Sequence, residues 1–496
     1  MGENRPIGWI YPQLNKLISF VIGGDWGKDI SYENSDHVFA YCIRGSEFKN
    51  WDYDRGITAS LRKVKKISLV KRTLLEGDIL IEISGGGPDQ PVGRTVLIDR
   101  TVLSFSPNIP KICTNFLRLM RLHPNINSKY INYYLTSFYK SGEIVKYQCG
   151  SNNLRNLKFE DFISILIPLP PLNEQKRIVS KIEELLSELD HAVESFKKIQ
   201  QQLKVYRQAV LKAAFEGKLT EQKESYTSPE ELLTRIYKER KLTKPLNKLG
   251  KDELPRNWIN CTISCLGNVG TGATPLKSKI SYYENGDIPW ITSTALNKSF
   301  VKEPTAYITK IALKETNVKI FPKHTLLIAM YGEGKTRGKC SELLIEASTN
   351  QAIAAITLEG LAEPLRPFLK WFLQKNYNDM RKMSSGGVQP NLNLGIIKNT
   401  QIPLPPLEEQ NQIVQEIESR LSICDELEKT IEQNLILEKS LRQSILKKAF
   451  EGKLVSQDPN DEPAELLLEK IKLEKEKLAK LTNSSKTKTK REKVTA

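Results

Sequence analysis

Apolar positions recur at alternating spacings of three and four over two long stretches of the chain. In the first, Ile178, Ile182, Leu185, Leu189, Ala192, Phe196, Ile199, Leu203, Tyr206 and Val210 keep the alternation without a break, which predicts an amphipathic helix with a heptad seam. Pro170 and Pro171 precede it, Asn173 is placed to cap the first turn, and Glu174 lies toward the positive end of the helix dipole. Gly217, just past Phe215 and Glu216, supplies a stop. From Glu174 to Phe215 is 42 residues, a rod of about 60 Å at roughly 1.5 Å per residue. That is too long for an ordinary globular core. The second stretch places Ile413, Ile417, Cys424, Leu427, Ile431, Leu441 and Ile445 in the same register, with Arg420, Asn434 and Glu438 interrupting it and Gly452 as the stop. Polar seam residues fix register and partner at some cost in stability.

The two stretches are copies. Ile167 to Asp190 (IPLPPLNEQKRIVSKIEELLSELD) and Ile402 to Asp425 (IPLPPLEEQNQIVQEIESRLSICD) agree at 15 of 24 positions at an offset of 235. Val210 to Leu219 and Ile445 to Leu454 agree at 8 of 10 at the same offset. An unchanged offset means that the segment between the blocks has an enforced length, as a rod requires. Two equal rods with apolar strips most economically pack on each other, so the expectation is an intramolecular antiparallel coiled coil acting as a spacer.

Between and before the rods the pattern changes to short alternating runs separated by turn clusters. His37 to Ile43, Asp78 to Ile83 and Thr95 to Ile98 read as strands, and Ser128 to Ser141 as a helix. Ser228 to Leu242 continues the first rod with a short helix, and Glu462 to Leu473 echoes it. Trp9 and Trp258 sit similarly near the starts of two globular segments, which differ in length while the rods do not. The fold class implied is α+β: two globular, mixed domains separated and joined by the two long helices. The boundaries are a first globular domain at 1–166, a helical spacer at 167–249, a second globular domain at 250–401, a second spacer at 402–481 and a basic tail at 482–496.

Composition changes this picture in one respect. A chain of 496 residues with 39% hydrophobic and 27% charged residues is ordinary for a soluble multidomain protein. No apolar run reaches the ~18 residues of a membrane span, and the N-terminus lacks a signal-peptide core, so the expected location is the cytoplasm. The seven cysteines form no framework, and with four histidines no second ligand pair completes a zinc site around Cys261 and Cys265. They are expected to be reduced thiols. The net charge of +16 is what matters. Positions 1–166 hold 22 basic and 16 acidic residues and positions 250–401 hold 19 and 12, so both globular segments are positive. A polyanionic partner, nucleic acid before membrane, is implied.

Within the first globular segment, Leu61 to Arg72 (LRKVKKISLVKR) carries six basic residues, of which Lys63, Lys65, Lys66 and Arg72 are candidate phosphate contacts. Ser84 to Arg94 (SGGGPDQPVGR) is a glycine and proline loop that could bring its backbone close to a duplex while Gln90 and Arg94 reach base edges. In the second segment, Ala329 to Thr336 (AMYGEGKT) fits a loose phosphate-loop pattern. A phosphate loop must open a helix, yet the basic turn Arg337 to Lys339 comes next, and Cys340 to Ala347 reads as strand. No carboxylate pair, Ser/His set or aminomethyltransferase motif has meaningful spacing, so no catalytic residue and no metal ligand is assigned. ATP binding by the isolated chain would favour a nucleotide enzyme. Absent or salt-insensitive DNA binding would favour a coiled-coil scaffold, which leaves the two basic domains unexplained.

Two variable basic domains, each followed by IPLPP-L-x-EQ, a long helix and AFEGKL, resemble the specificity subunit of type I restriction-modification systems. GGGPDQPVGR at Gly85 to Arg94, IPWITSTAL at Ile288 to Leu296, TNQA at Thr349 to Ala352 and QPNLN at Gln389 to Asn393 are further family-like pieces, the last degraded to LRNL at Leu154 to Leu157 in the first half. The resemblance implies two target recognition domains, each reading one half of an asymmetric bipartite site in double-stranded DNA. It also implies two methyltransferase subunits and optional restriction subunits as partners, with S-adenosylmethionine, ATP and magnesium held by those partners and no cofactor in this chain. Under it Tyr331 to Lys339 becomes a DNA-facing loop, with Tyr331, Lys335, Thr336, Arg337 and Lys339 as candidate contacts.

Overall fold

The computed structural model describes residues 6–87, 90–151, 154–242, 254–331, 336–383 and 391–477. Both rods are continuous α-helices, Leu172–Phe215 and Leu407–Phe450, each of 44 residues. The chain divides into two compact units, residues 1–195 with 434–496, and residues 196–433. Each unit therefore holds one globular domain, the N-terminal part of the rod that comes after it, and the C-terminal part of the other rod.

In the first unit the strands are β1 (Ile18–Gly23), β2 (His37–Ile43), β3 (Ser60–Lys65), β4 (Ile79–Glu82), β5 (Ser84–Gly85), β6 (Thr95–Leu97), β7 (Lys111–Cys113), β8 (Leu117–Leu122), β9 (Gln148–Ser151) and β10 (Leu154–Leu157). They form three open sheets, ordered β1-β8-β4-β6, β3-β2-β7 and β5-β10-β9. The second unit has β11 (Ile259–Thr262), β12 (Asn268–Thr271), β13 (Ile288–Ile291), β14 (Phe300–Val301), β15 (Ala306–Ile308), β16 (Ile320–Phe321), β17 (Leu326–Ala329), β18 (Cys340–Leu343), β19 (Ala347–Thr349), β20 (Ile353–Thr357) and β21 (Gln401–Leu404). Its sheets run β12-β20-β17-β18-β14, β15-β13-β19-β16 and β11-β21. The plan of the first unit is repeated: β1, β8, β4 and β6 correspond to β12, β20, β17 and β18. In each smaller sheet one antiparallel pair (β2 with β3, β13 with β15) adjoins one parallel pair (β2 with β7, β13 with β19). The α+β architecture expected from the pattern is the observed one.

The repeated sequence blocks join rods to domains. Ile10 and Gln13 bridge Leu169 and Leu166 in the first unit, and β11 pairs with β21 in the second, so each domain closes its entry against its own IPLPP exit. The EQ pair comes next. Gln175 and Gln410 turn back to donate to the carbonyls of Pro170 and Pro405 at 2.9 and 2.8 Å. Glu409, 1% exposed, accepts from the Trp258 indole and the Thr220 hydroxyl, both at 3.1 Å. Burial raises its carboxyl above the usual range, against the lowering effect of those two donors. Glu174 takes the same place beside Trp9, where the indole nitrogen falls short of a formed hydrogen bond.

The AFEGKL blocks work at the other rod ends. Phe450 packs on Tyr130 and Tyr134, with ring centroids 5.5 and 5.1 Å away, and Phe215 packs on Phe368 and Phe372 at 5.1 and 5.5 Å. In both units the phenylalanine meets an i, i+4 aromatic pair on the domain's helix (Ser128–Lys140 or Arg366–Lys375). Gly452 and Gly217 stand just beyond at φ +69° and +66°, where a Cβ would lie 2.5 Å from Pro6 and 2.6 Å from Pro255. Gly452→Ala is therefore expected to lower stability by more than about 1 kcal/mol, through a left-handed backbone and a clash together. Chemical denaturation of the variant checks this, and an unchanged midpoint would mean that Pro6 yields freely.

Inside each unit the rod segments pair antiparallel. In the first, Arg442 donates to Asp190 at 2.5 Å, and Ile178 and Ile182 share a core with Leu446 and Ala449. In the second, Arg207 donates to Asp425 at 2.6 Å and to Glu428 at 3.1 Å, and Val210 and Ala214 share a core with Ile413, Ile417 and Leu421. Asp190 plus 235 is Asp425 and Arg207 plus 235 is Arg442, so one ion pair occurs twice, once in each unit.

The seam differs from the heptad expectation in the second rod. Leu427 and Leu441 are 44% and 42% exposed, while Leu421, Cys424, Ile431 and Leu446 are buried. In the first rod Ile178, Ile182 and Leu203 are buried, Leu185, Leu189 and Phe196 half-buried, and Ile199 is at the surface, while Ile445 of the second rod is half-buried. The cause is geometric. A helix near 3.6 residues per turn drifts by about 20° per heptad from a strict seven-residue repeat, so over 44 residues the buried line moves one position along. Arg420, an interruption of the extrapolated seam, instead makes a surface pair with Glu416 at 3.1 Å.

Candidate nucleic-acid interface

The ends of the large sheets gather the loops singled out in the sequence. In the first unit Gly23 at the end of β1 pairs with Arg118, and Leu117 at the start of β8 pairs with Glu82 at the end of β4. The glycine and proline loop leaves from this edge and returns to β6. Its second residue lies in β5, which pairs with β10 (Gly85 opposite Arg155). In the second unit β12 and β17 end at the corresponding edge, where residues 330–339 join β17 to β18.

Arg94 does not reach outward from its loop. Its guanidinium donates to Glu82 through Nε at 2.9 Å and Nη2 at 2.6 Å, and Nη2 also donates to the Gly45 carbonyl at 2.9 Å. Glu82 is 3% exposed. The arginine thus fastens the loop to the 3-10 turn Gly45–Asn50 beyond β2. Lys339 is its counterpart, donating to Asn297 Oδ1 at 2.8 Å on the turn Ser293–Asn297 beyond β13. Gln90 is exposed, its amide 3.2 Å from the Arg94 guanidinium. Pro88 and Asp89 lie outside the described residues.

The basic stretch divides likewise. Lys65 and Lys66 are exposed where β3 passes into the helix Lys66–Arg72. Lys63 is half-buried, its ammonium 3.8 Å over the Phe39 ring. Arg72 turns inward, donating to the Gly23 carbonyl at 2.9 Å and to the Ser68 hydroxyl at 3.1 Å. Ser68 donates in turn to Asp25 at 2.5 Å. Burial raises the Asp25 carboxyl, but Ser68, the Gly27 amide and Arg72 outweigh it and hold the group below the usual range. Two cations absent from the sequence-derived set join this surface: Lys71, exposed, and Arg62, stacked 4.4 Å over Trp26.

In the second unit Tyr331 is 38% exposed, and Thr336 and Arg337 are half-buried. The Arg337 carbonyl accepts from Arg381 at 3.3 Å, and Lys335 lies outside the described residues. This loop leads into β18, antiparallel to β17, and no helix opens behind it. A phosphate loop opens a helix, and among the described residues that follow here there is a strand instead, so the nucleotide-enzyme alternative gains no support. Of the QPNLN piece, Asn393 caps the helix Leu394–Asn399 by accepting from the Ile396 amide at 2.9 Å, a structural role. Among the described residues no group of three or more His, Cys, Asp or Glu is placed to hold a metal, and no helix is long and apolar enough to cross a membrane.

Comparison with known proteins agrees with this geometry. The family described as "Type I restriction modification DNA specificity domain" matches residues 55–205 and 255–436, more than half of the chain. The chain is 27% identical over 494 residues to the type I restriction enzyme EcoKI specificity subunit of Escherichia coli strain K12, covering 95% of this chain and 96% of that protein. It is 27% identical over 492 residues to the StySPI specificity subunit of Salmonella potsdam, again over 95% and 96%. The fold matches the crystal structure of the HsdS subunit from Thermoanaerobacter tengcongensis with a TM-score of 0.60 at 18% identity, covering 91% of this chain and 99% of that one.

Proposed function

The chain belongs to the type I restriction modification DNA specificity family, and from that premise we propose that it is the DNA-reading subunit of a type I complex and is not itself catalytic. Each globular domain reads one half of a bipartite site in double-stranded DNA. In each unit an antiparallel pair of rod segments completes the reader. Two methyltransferase subunits, with or without restriction subunits, carry the chemistry and with it S-adenosylmethionine, ATP and magnesium. The observation that carries this reading is the repetition of one sheet plan with unlike loops at the same edge. Equivalent scaffolds with different edge residues suit two different half-sites, because phosphate contacts position a protein while base-edge contacts specify sequence.

The partition of cations supports separate roles for them. Lys65 and Lys66, with Lys63 beside them, meet phosphates; Arg72 and Arg94 hold loops in place. Replacing Lys65 and Lys66 by Ala is expected to weaken binding to every sequence alike and to flatten the salt dependence by about one unit of slope for each phosphate no longer neutralised. Arg94→Ala leaves Glu82 buried and unpaired, so it is expected to lower the melting temperature before it alters discrimination. Titrations of specific and random duplexes at several salt concentrations, beside thermal melts, separate the two. An unchanged slope in the double lysine variant would remove that surface from the interface.

A further inference from the structure

Strands β7 and β8 are joined by a β-turn, Thr114 to Leu117, closed by the Leu117 amide on the Thr114 carbonyl at 3.0 Å. The second unit joins β19 to β20 by the same device, Asn350 to Ile353, closed at 3.3 Å. Hydrogen bonds on both sides fix the equivalence. The amides of Thr114 and Asn350 donate to Ile43 and Ile291, the last residues of β2 and β13, at 2.9 and 3.0 Å. The carbonyls of Phe116 and Ala352 accept from Ile83, the residue before the glycine loop, and Met330, the first residue of the loop between β17 and β18, at 2.9 and 2.8 Å. The backbone passes closely beneath both turns: a Cβ on Gly24 would lie 2.1 Å from the Thr114 carbonyl oxygen, and one on Gly272 would lie 1.8 Å from that of Thr349. Phe116 thus stands in the first domain where Ala352 stands in the second.

The turn also closes with a methyl group at that position, so the fold does not require the ring. Yet Phe116 is 53% exposed, at the foot of the glycine loop, with its carbonyl also accepting from Ser84 of β5 at 3.3 Å. Single exposed apolar side chains are ordinary on a protein surface. What separates Phe116 is its place on a braced turn at the edge assigned to DNA. A ring without hydrogen-bonding atoms can tell base pairs apart in the major groove through one feature, the 5-methyl group of thymine.

We infer that Phe116 reads the 5-methyl group of a thymine in the half-site of the first domain. The inference rests on the function proposed above. The test uses the full-length chain assembled with its methyltransferase subunits, on the motif found by mapping methylated bases in genomic DNA of the source cell. Each thymine of the motif is replaced singly by deoxyuridine, which removes the methyl group alone. One replacement, in the half-site of the first domain, is expected to weaken wild-type binding about fourfold, the effect of one buried methyl. Phe116→Ala should bind the thymine and uracil duplexes equally and melt at the wild-type temperature. A wild-type complex indifferent to every replacement would overturn the inference, as would a variant that keeps the full methyl dependence. Failure to bind either half-site in preference to random duplex would instead defeat the proposed function.

Discussion

A fragment of residues 1 to 243, supplied with the methyltransferase subunit, is expected to form a two-fold dimer and to methylate a palindrome built from the first half-site. In the whole chain the first domain is completed by segments from the far end of the sequence: Phe450 between Tyr130 and Tyr134, Arg442 on Asp190, and Gly452 against Pro6. The fragment lacks all three. It carries their equivalents, Phe215, Arg207 and Gly217, which complete the second domain in the whole chain. A second copy of the fragment can therefore complete the first, and antiparallel pairing of identical rods closes as a dimer. Sedimentation of the fragment with its methyltransferase, together with mapping of the modified bases, reads the result. A monomer that modifies nothing, or a dimer that still marks the asymmetric site, would defeat the equivalence of the two halves.

Ile417→Asp is expected to destabilise the second unit by about 4 kcal/mol or more, since it removes a core side chain and buries a carboxyl without a partner. Ile417 is fully buried among Val210, Ala214, Ile413 and Leu421. Leu427→Asp should cost no more than about 0.5 kcal/mol, as a surface change does, because that leucine is 44% exposed. The pair discriminates between a strict heptad, in which both positions lie on the seam, and the drifted seam of the structure. Thermal melts of the two variants decide. Equal losses would restore the strict heptad. With typical stabilities of about 5 to 15 kcal/mol, the first substitution is also expected to loosen the second domain from its rod and to blunt selectivity for spacer length between the half-sites.

Part of the candidate interface was legible in the sequence and part was not. Lys65 and Lys66 lie at the surface as their charge suggests. Arg72 and Arg94 have the same composition signal and turn inward, because Gly23, Ser68 and Glu82 meet them from elsewhere in the chain. Phe116 has no such signal. A phenylalanine before a strand reads as core, and only the pairing of β4 with β8 places it at the sheet edge beside the glycine loop. A faint trace lies in the repeat: Thr114 and Asn115 stand 235 residues before the Thr349 and Asn350 of TNQA, one position out of the register that the two turns adopt.

By itself the sequence determined what depends on local periodicity and on repetition. The rods and their ends come from the spacing of apolar residues and the two stop glycines, the doubling from a constant offset, and the polyanionic partner from net charge. These quantities are sums or intervals along the chain, and no folding is needed to evaluate them. Tertiary structure alone decided which rod half completes which domain, where the seam runs after 44 residues of accumulated twist, and which cations remain free to meet a phosphate. The first of these depends on contacts between residues more than two hundred positions apart, such as Asp190 with Arg442, and the others on neighbours brought in from distant strands and turns. Equal spacing implies that the rods pair, but it does not say which side chains meet at such distances.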